Sequence, residues 1–237
     1  MNAIDFNQLK KVFTGTFLAE PFALQEKLFK VKAYVFDWDG VFNNGTKDAS
    51  GSSPFNEVDS MGINMLRFSH YLLNSQNPVT AIITGELNTA AFTFAKREHF
   101  HAVYSGIRNK KDALIHFCDT HKLQPGNVAY FFDDVLDLSI AEVCGVRIMI
   151  GRSGSPLFLN LVKEHSLADY ITDADGSNNA LREAAELLIG LIGQYDETIM
   201  QRVHNSGNYK EYISARNTPV PSFYTLTDSK ITEQPLK

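Results

Sequence analysis

Two aspartates one residue apart, Asp37 and Asp39, close the apolar run Ala33-Tyr-Val-Phe and are followed by Gly40. Alternate residues of a strand share a side, so both carboxylates can face one point at the strand's carboxyl end. Acidic groups crowded there repel each other unless a cation or a shared proton compensates them. The pattern predicts a divalent-metal site that also contains a carboxylate nucleophile. Taken alone, the same residues also describe a polar strand exit, with aspartates as turn formers beside a glycine.

Three further motifs argue against that simpler reading. Thr84 in Ile82-Ile-Thr84-Gly85-Glu86 and Lys110 in Gly106-Ile-Arg-Asn-Lys110 each follow a strand-like run, as do Asp133 and Asp134 with Asp137 beyond them. In open parallel sheets, ligands gather at the carboxyl ends of strands. A phosphate ester repels a carboxylate nucleophile, so a cation must bridge them. Asp37 and Asp133 offer hard oxygen ligands suited to Mg²⁺. Asp37 is expected to attack phosphorus, dividing hydrolysis into two steps through an aspartyl-phosphate. Asp39 is expected to protonate the leaving alkoxide and then deprotonate the water. Thr84 can donate its hydroxyl and N–H to phosphoryl oxygens, and Lys110 offsets charge on the nucleophile and the transferred group. Singly, Thr84 is a residue before a turn, Lys110 a solvated helix start with Lys111 as a rival, and Asp133-Asp134 a helix cap. Their order at successive strand ends is much harder to explain as capping.

The elements that must position these groups alternate from Lys32 to about Gly193. Strands are expected over 33–37, 79–84, 101–104, 128–132 and 146–150, and helices over 62–74, 87–98, 110–121, 136–144 and 180–193. Short Val-, Ile- and Phe-rich runs separated by helices predict an α/β fold with a parallel sheet covered on both faces. Residues 1–30 read as an N-terminal helical extension broken by Pro21, and 31–193 as the main domain. Within it, residues 41–61 are turn-rich and predict a protruding hairpin with its loop near Asp48 to Ser53. Residues 194–237 turn polar and predict an arm or a partly disordered tail.

At 237 residues, 44% hydrophobic and 21% charged, the chain has the composition of an ordinary globular protein with a real core. A net charge of −5 weighs against nucleic acid as a main partner, and does not forbid an anionic substrate. Cys118 and Cys144 form no C-x-x-C motif and read as free thiols in a reducing compartment. No apolar run approaches the roughly 20 residues that span a bilayer, and the lysines at 10 and 11 follow Asp5, unlike a signal peptide. A cytoplasmic location without membrane partners is expected. Gly151-Arg-Ser-Gly-Ser155 reads as a connecting loop, with anion cradling by backbone N–H groups as the alternative. His99 and His101 lack acidic or cysteine partners and read as ordinary surface or core residues.

The ordered set resembles the haloacid dehalogenase (HAD) superfamily of phosphatases over about residues 32–193. More narrowly it is similar to the capless 3-deoxy-D-manno-octulosonate 8-phosphate (KDO 8-phosphate) phosphatases and their nonulosonate 9-phosphate relatives. The residues behind this are Asp37-Trp-Asp39-Gly-Val, Phe55-Asn-Glu-Val-Asp59-Ser-Met-Gly62, Ile-Ile-Thr-Gly, Gly106-x-x-x-Lys110, Asp133-Asp134-x-x-Asp137 and Ala168-Asp-Tyr-Ile-Thr. The resemblance implies a HAD-like Rossmannoid three-layer sandwich with a central parallel sheet and a β-hairpin in place of a cap domain. It also implies a homotetramer acting on a small phosphorylated sugar acid. It makes Mg²⁺ the metal, held by the side chains of Asp37 and Asp133 and the carbonyl of Asp39, with Gly85, Asp134 and Asp137 in support. Glu86, Asp59 and Arg97 are the expected substrate-binding residues.

Several departures bear on the sugar rather than on the phosphoryl chemistry. KDO 8-phosphate phosphatases usually have Thr-Gly-Arg where this chain has Thr84-Gly85-Glu86, which is more like the nonulosonate branch. Phe132 precedes Asp133-Asp134 where the family has glycine, and Gly176-Ser-Asn-Asn179 replaces a glycine-rich motif. Phe132 and the long termini leave a second reading, a catalytically silent relative that binds a phospho-ligand or supports an assembly. A receiver domain also uses Asp, Thr and Lys around Mg²⁺, but it expects the acidic pair early, and here that pair comes last.

Overall fold

The apolar runs form the interior of a nine-stranded sheet in the computed structural model, which describes residues 5–228 and 230–235. In chain order the strands are β1 (Thr16–Phe17), β2 (Ala33–Phe36), β3 (Val79–Thr84), β4 (Ala102–Ser105), β5 (Val128–Phe132), β6 (Val146–Met149), β7 (Tyr170–Ile171), β8 (Ser222–Thr227) and β9 (Lys230–Gln234). The helices are α1 (Phe6–Val12), α2 (Pro21–Leu28), α3 (Glu57–Asn74), α4 (Thr89–Arg97), α5 (Lys110–His121), α6 (Leu138–Ala141), α7 (Pro156–Glu164), α8 (Ala180–Ile192), α9 (Tyr195–Val203) and α10 (Gly207–Arg216). The strand order is β1-β7-β6-β5-β2-β3-β4-β8-β9, parallel except at the two outermost pairs.

Strand alternation divides the core in two. Tyr34, Phe36, Ala129 and Phe131 face α2, α3, α4 and α8, whereas Ala33, Val35, Val128, Tyr130 and Phe132 face α5, α6 and α7. Both sides are buried, which is why these strands read as continuous apolar runs. The result is a three-layer α/β sandwich with a central parallel sheet. Strand β2 lies between β3 and β5 with Phe36 beside Ile82 and Phe131, so the chain leaves all three strands at one edge.

Three expectations need correction. Residues 41–56 contain no strand and form no hairpin ladder. The chain does turn back near the expected place, with Asp48 N–H donating to the Ser52 carbonyl (2.8 Å). The pairing stops there because the Asp48 carboxylate collects the N–H groups of Ser50 and Ser52, a local turn that replaces the ladder. The segment packs inward: Phe42 stacks on Trp38 with ring centroids 4.4 Å apart. The expected tail is instead folded, with α9 and α10 on the sheet's helical layer and β8 added parallel to β4. Finally, the N-terminal extension is part of the domain, since Leu24 and Leu28 of α2 are buried in the core.

The Phe132 ring, which stands where the family has glycine, is buried in the core. It stacks on Tyr130 at 5.7 Å within the α5–α7 side of the core. Its bulk is absorbed there, and the chain reaches Asp133 without it.

Candidate active site

Backbone pairing delivers Asp37 to the sheet edge, where its N–H donates to the Phe131 carbonyl (2.9 Å) and prolongs β2 by one residue. Trp38 then turns into the core and is fully buried, which fixes the stretch between the two aspartates. Gly40 has a φ of 88°, a left-handed conformation that a side chain rarely adopts, and a Cβ there would collide with the Asp133 carboxylate. Gly176 is packed as closely against the carbonyls of Asn43 and Gly40, so that neither the loop nor the site could tolerate a side chain there.

Lys110 opens α5 and its ammonium bridges Asp37 Oδ1 and Asp137 Oδ1, each at 2.6 Å. Tyr130 donates to the same Asp137 oxygen (2.6 Å), and the Asp134 N–H donates to Asp137 Oδ2 (3.2 Å). Asp137, expected only in support, is thus the most enclosed acid of the site at 1% exposure. Asp134 caps the short turn that follows through its bond from the Val135 N–H (2.7 Å). Asp133 faces Asp37 and is paired through Oδ2 with Arg152, while its buried Oδ1 has no partner among the described residues.

The charge balance identifies what this cluster can hold. Burial pulls the Lys110 pKa down, but Asp37 and Asp137 together reverse the effect and leave it raised. Burial pushes Asp37 well above the usual carboxylate range, and Asp137 and Asp133 add to this against the opposing Lys110. Burial likewise raises Asp133, to about 7, against the opposing pull of Arg152. Oxygens of Asp37, Asp133 and Asp137 lie within 4.8 Å of one another. Three buried carboxylates facing one buried ammonium, with one oxygen unpartnered, fit a small divalent cation with oxygen preference.

The cluster floors a cavity of about 540 Å³ walled by Asp39, Thr84, Gly85, Glu86, Arg108 and Arg152. Asp39 stands on its rim, held through Oδ1 by the Ser53 hydroxyl and through Oδ2 by Lys47 (2.9 Å). The structure therefore brings together Asp37, Asp39, Thr84, Gly85, Glu86, Lys110, Asp133, Asp134 and Asp137.

It does not bring Asp59 or Arg97 to the cavity. Asp59 is fully buried at the start of α3, where it accepts from Asn56 Nδ2 (2.6 Å) and from the Arg182 N–H (2.9 Å), tying α3 to α8. Arg97 pairs with Glu57 and Glu98 and lies over the Phe55 ring at 4.7 Å. Both are spent on packing within this chain. Sequence reasoning passed over Arg152, Arg108, Lys47 and Ser53. Only Arg152 sat in a segment singled out as a possible anion cradle, and it acts there by its side chain.

No protein-family model matches the chain. Over 181 residues it is 28% identical to the 3-deoxy-D-manno-octulosonate 8-phosphate phosphatase KdsC of Escherichia coli strain K12, covering 75% of this chain and 89% of that protein. Among solved structures, the KDO 8-phosphate phosphatase of Moraxella catarrhalis, in complex with a magnesium ion, a phosphate ion and KDO, superposes with a TM-score of 0.62. It is 24% identical and covers 76% of this chain and 97% of its own. A HAD-superfamily (subfamily III A) protein from Legionella pneumophila matches with a TM-score of 0.63 at 24% identity over 77% of this chain and 94% of its own. The chain has the fold of the HAD-superfamily hydrolases and is a homologue of the KDO 8-phosphate phosphatases.

Proposed function

We propose that this protein hydrolyses a phosphate monoester with Mg²⁺, its substrate a phosphorylated sugar acid of the KDO 8-phosphate or nonulosonate 9-phosphate type. The observation that carries the reading is the buried cluster of Asp37, Asp133 and Asp137 around Lys110, with Asp133 Oδ1 unpartnered at the floor of a cavity. Asp37 and Asp133 would hold the ion, and when bound it neutralises charge between the phosphoryl oxygens and the nucleophile.

The chain's own residues do the rest. Asp37 attacks phosphorus and becomes esterified to it as the ester bond breaks, and the Lys110 ammonium at 2.6 Å stabilises the charge that moves through the carboxylate. Asp39, at the rim, gives a proton to the departing alkoxide and later takes one from the attacking water. Thr84 and the backbone at Gly85 line the side where phosphoryl oxygens would lie. Arg108 supplies positive charge on the wall, suited to a substrate carboxylate, beside Arg152, which is paired with Asp133, and Glu86 on the same wall would meet the sugar hydroxyls. Phe132 lies in the core and the described residues of both terminal segments pack into the fold, which supports the catalytic reading over a silent relative. The reading includes a cytoplasmic homotetramer, for which light scattering should return four times the 26.5 kDa chain mass.

The test is phosphate release from p-nitrophenyl phosphate and from a panel of sugar phosphates that includes KDO 8-phosphate and nonulosonate 9-phosphates. Turnover should require Mg²⁺, stop in EDTA and disappear in Asp37→Asn. A folded, metal-supplemented protein that releases no phosphate from any member of the panel would overturn the proposal.

A further inference from the structure

Asp39 is the last member of a buried chain of hydrogen bonds whose direction the fold dictates. The relay starts at the N-terminus of α4. Asn88 caps this helix: its Oδ1 accepts from the N–H groups of Ala90 (3.0 Å) and Ala91 (3.3 Å) and from the Ser52 hydroxyl (3.1 Å). An amide carries its donors on the opposite side, so capping settles which way the group faces. Its Nδ2 donates to Ser53 Oγ at 2.7 Å. The indole Nε1 of Trp38, a donor and never an acceptor, points at the same oxygen at 3.1 Å. A hydroxyl has one proton and two lone pairs. With both lone pairs engaged by N–H donors, the single Ser53 proton is left for Asp39 Oδ1. Ser53 and Trp38 are fully buried and Asn88 is 1% exposed, so water does not compete for the bonds that Asn88 and Trp38 make to Ser53.

We propose that Asn88 and Ser53 are positioning residues for Asp39, and that they divide the labour of its two oxygens. This rests on the reading of Asp39 as the acid–base group. Oδ1 is the permanent acceptor of the Ser53 proton. Oδ2, whose partner among the described residues is the partly exposed Lys47, is the oxygen that exchanges a proton with the reaction. In the first step the bond from Asp37 to phosphorus forms, the ester P–O bond breaks, and the proton on Oδ2 passes to the departing oxygen. In the second step water's oxygen bonds to phosphorus, its proton passes to Oδ2, and the Asp37 carboxylate is released. The Ser53 proton stays in place throughout and holds the plane of the carboxyl group.

The variants follow from the polarity of the relay. Ser53→Ala removes the donor. Asn88→Asp keeps a good helix cap but has no N–H to offer, so the Ser53 proton is drawn toward residue 88 and away from Asp39. The assay compares kcat/KM for p-nitrophenyl phosphate, whose phenolate leaves without a proton, with that for the primary sugar phosphate that the wild type hydrolyses fastest. Asp39→Asn serves as the benchmark, and urea midpoints confirm that each variant folds. A positioned general acid is worth roughly 100- to 10,000-fold. Both variants should therefore lose at least about tenfold more on the sugar ester than on the nitrophenyl ester. A merely structural defect would lower both alike. If Asp39→Asn discriminates between the esters while Ser53→Ala and Asn88→Asp do not, the positioning role is overturned and the assignment of Asp39 survives. If Asp39→Asn itself fails to discriminate, the acid–base assignment falls and the relay with it.

Discussion

Replacing Lys110 by methionine removes the ammonium that bridges Asp37 and Asp137 and preserves most of the side chain's volume. The Lys110 side chain is 5% exposed, and its partners Asp37 and Asp137 are 6% and 1% exposed, so water cannot take over either bond. Breaking a buried ion pair from one side costs about 3–5 kcal/mol, because a charge is left without compensation. Counting two hydrogen bonds to charged groups, at about 1.5–3 kcal/mol each, gives a similar sum. Lys110→Met should thus lose about 3–5 kcal/mol in urea unfolding at pH 7.5 in EDTA, and Mg²⁺ should restore part of the loss.

The pH dependence has a definite sign. Without Lys110 the Asp37 carboxylate keeps only influences that raise its pKa, burial first and then repulsion by Asp137 and Asp133. A folded-state pKa above the unfolded value means that the native state binds the proton more tightly, so stability is gained as pH falls. The gap between variant and wild type should shrink from pH 7.5 to pH 5. A loss below about 1 kcal/mol in EDTA, of the size seen for exposed pairs, or one that stays constant with pH, would refute this account of the cluster.

Other expectations follow from the same geometry. Asp133→Asn removes a carboxylate at the unpartnered position and should weaken Mg²⁺ binding in calorimetric titration by at least about tenfold. Phe132→Ala empties a packed position in the α5–α7 side of the core, and should cost about 3–5 kcal/mol of stability while leaving KM for p-nitrophenyl phosphate close to that of the wild type. His70 lies buried on α3 beside the Tyr34 hydroxyl (3.5 Å), and burial pushes its pKa down to about 4. The unfolded chain therefore takes up a proton that the folded one refuses, so the stability His70 contributes above pH 6.5 is lost as pH falls toward 4, by up to about 3 kcal/mol. His70→Leu should flatten the pH dependence of the urea midpoint over that window.

Sequence reasoning was strongest where burial on both faces leaves a continuous apolar signature. β3, β5 and α5 begin and end where the pattern placed them, because two covered faces and a helix start at Lys110 leave little freedom. The residues at those strand ends came together because a parallel sheet gathers them at one edge. The 41–61 segment misled because its turn residues were read as the tip of a hairpin, while Asp48 satisfies the backbone locally and Trp38 and Phe42 draw the loop inward. The C-terminal strand Ser222–Thr227 was hidden because its polar positions face outward at the sheet's flank while Phe223 alone is buried. Asp59 and Arg97 were carried by family likeness; their partners Arg182 and Glu57 are long-range contacts that spacing does not encode, and Glu98, though adjacent to Arg97, gives no sign in the sequence that the two pair. Ser53 and Asn88 lie 35 positions apart for the same reason.

The chain has a single tryptophan, and it stands between the two aspartates of the cavity. Its ring is shut away from water while its indole nitrogen rests on Ser53. The candidate site thus has a built-in fluorophore beside it, and no label needs to be attached. Excited at the red edge of its absorption, where the nine tyrosines absorb little, it can follow occupancy by cation or phosphate in real time.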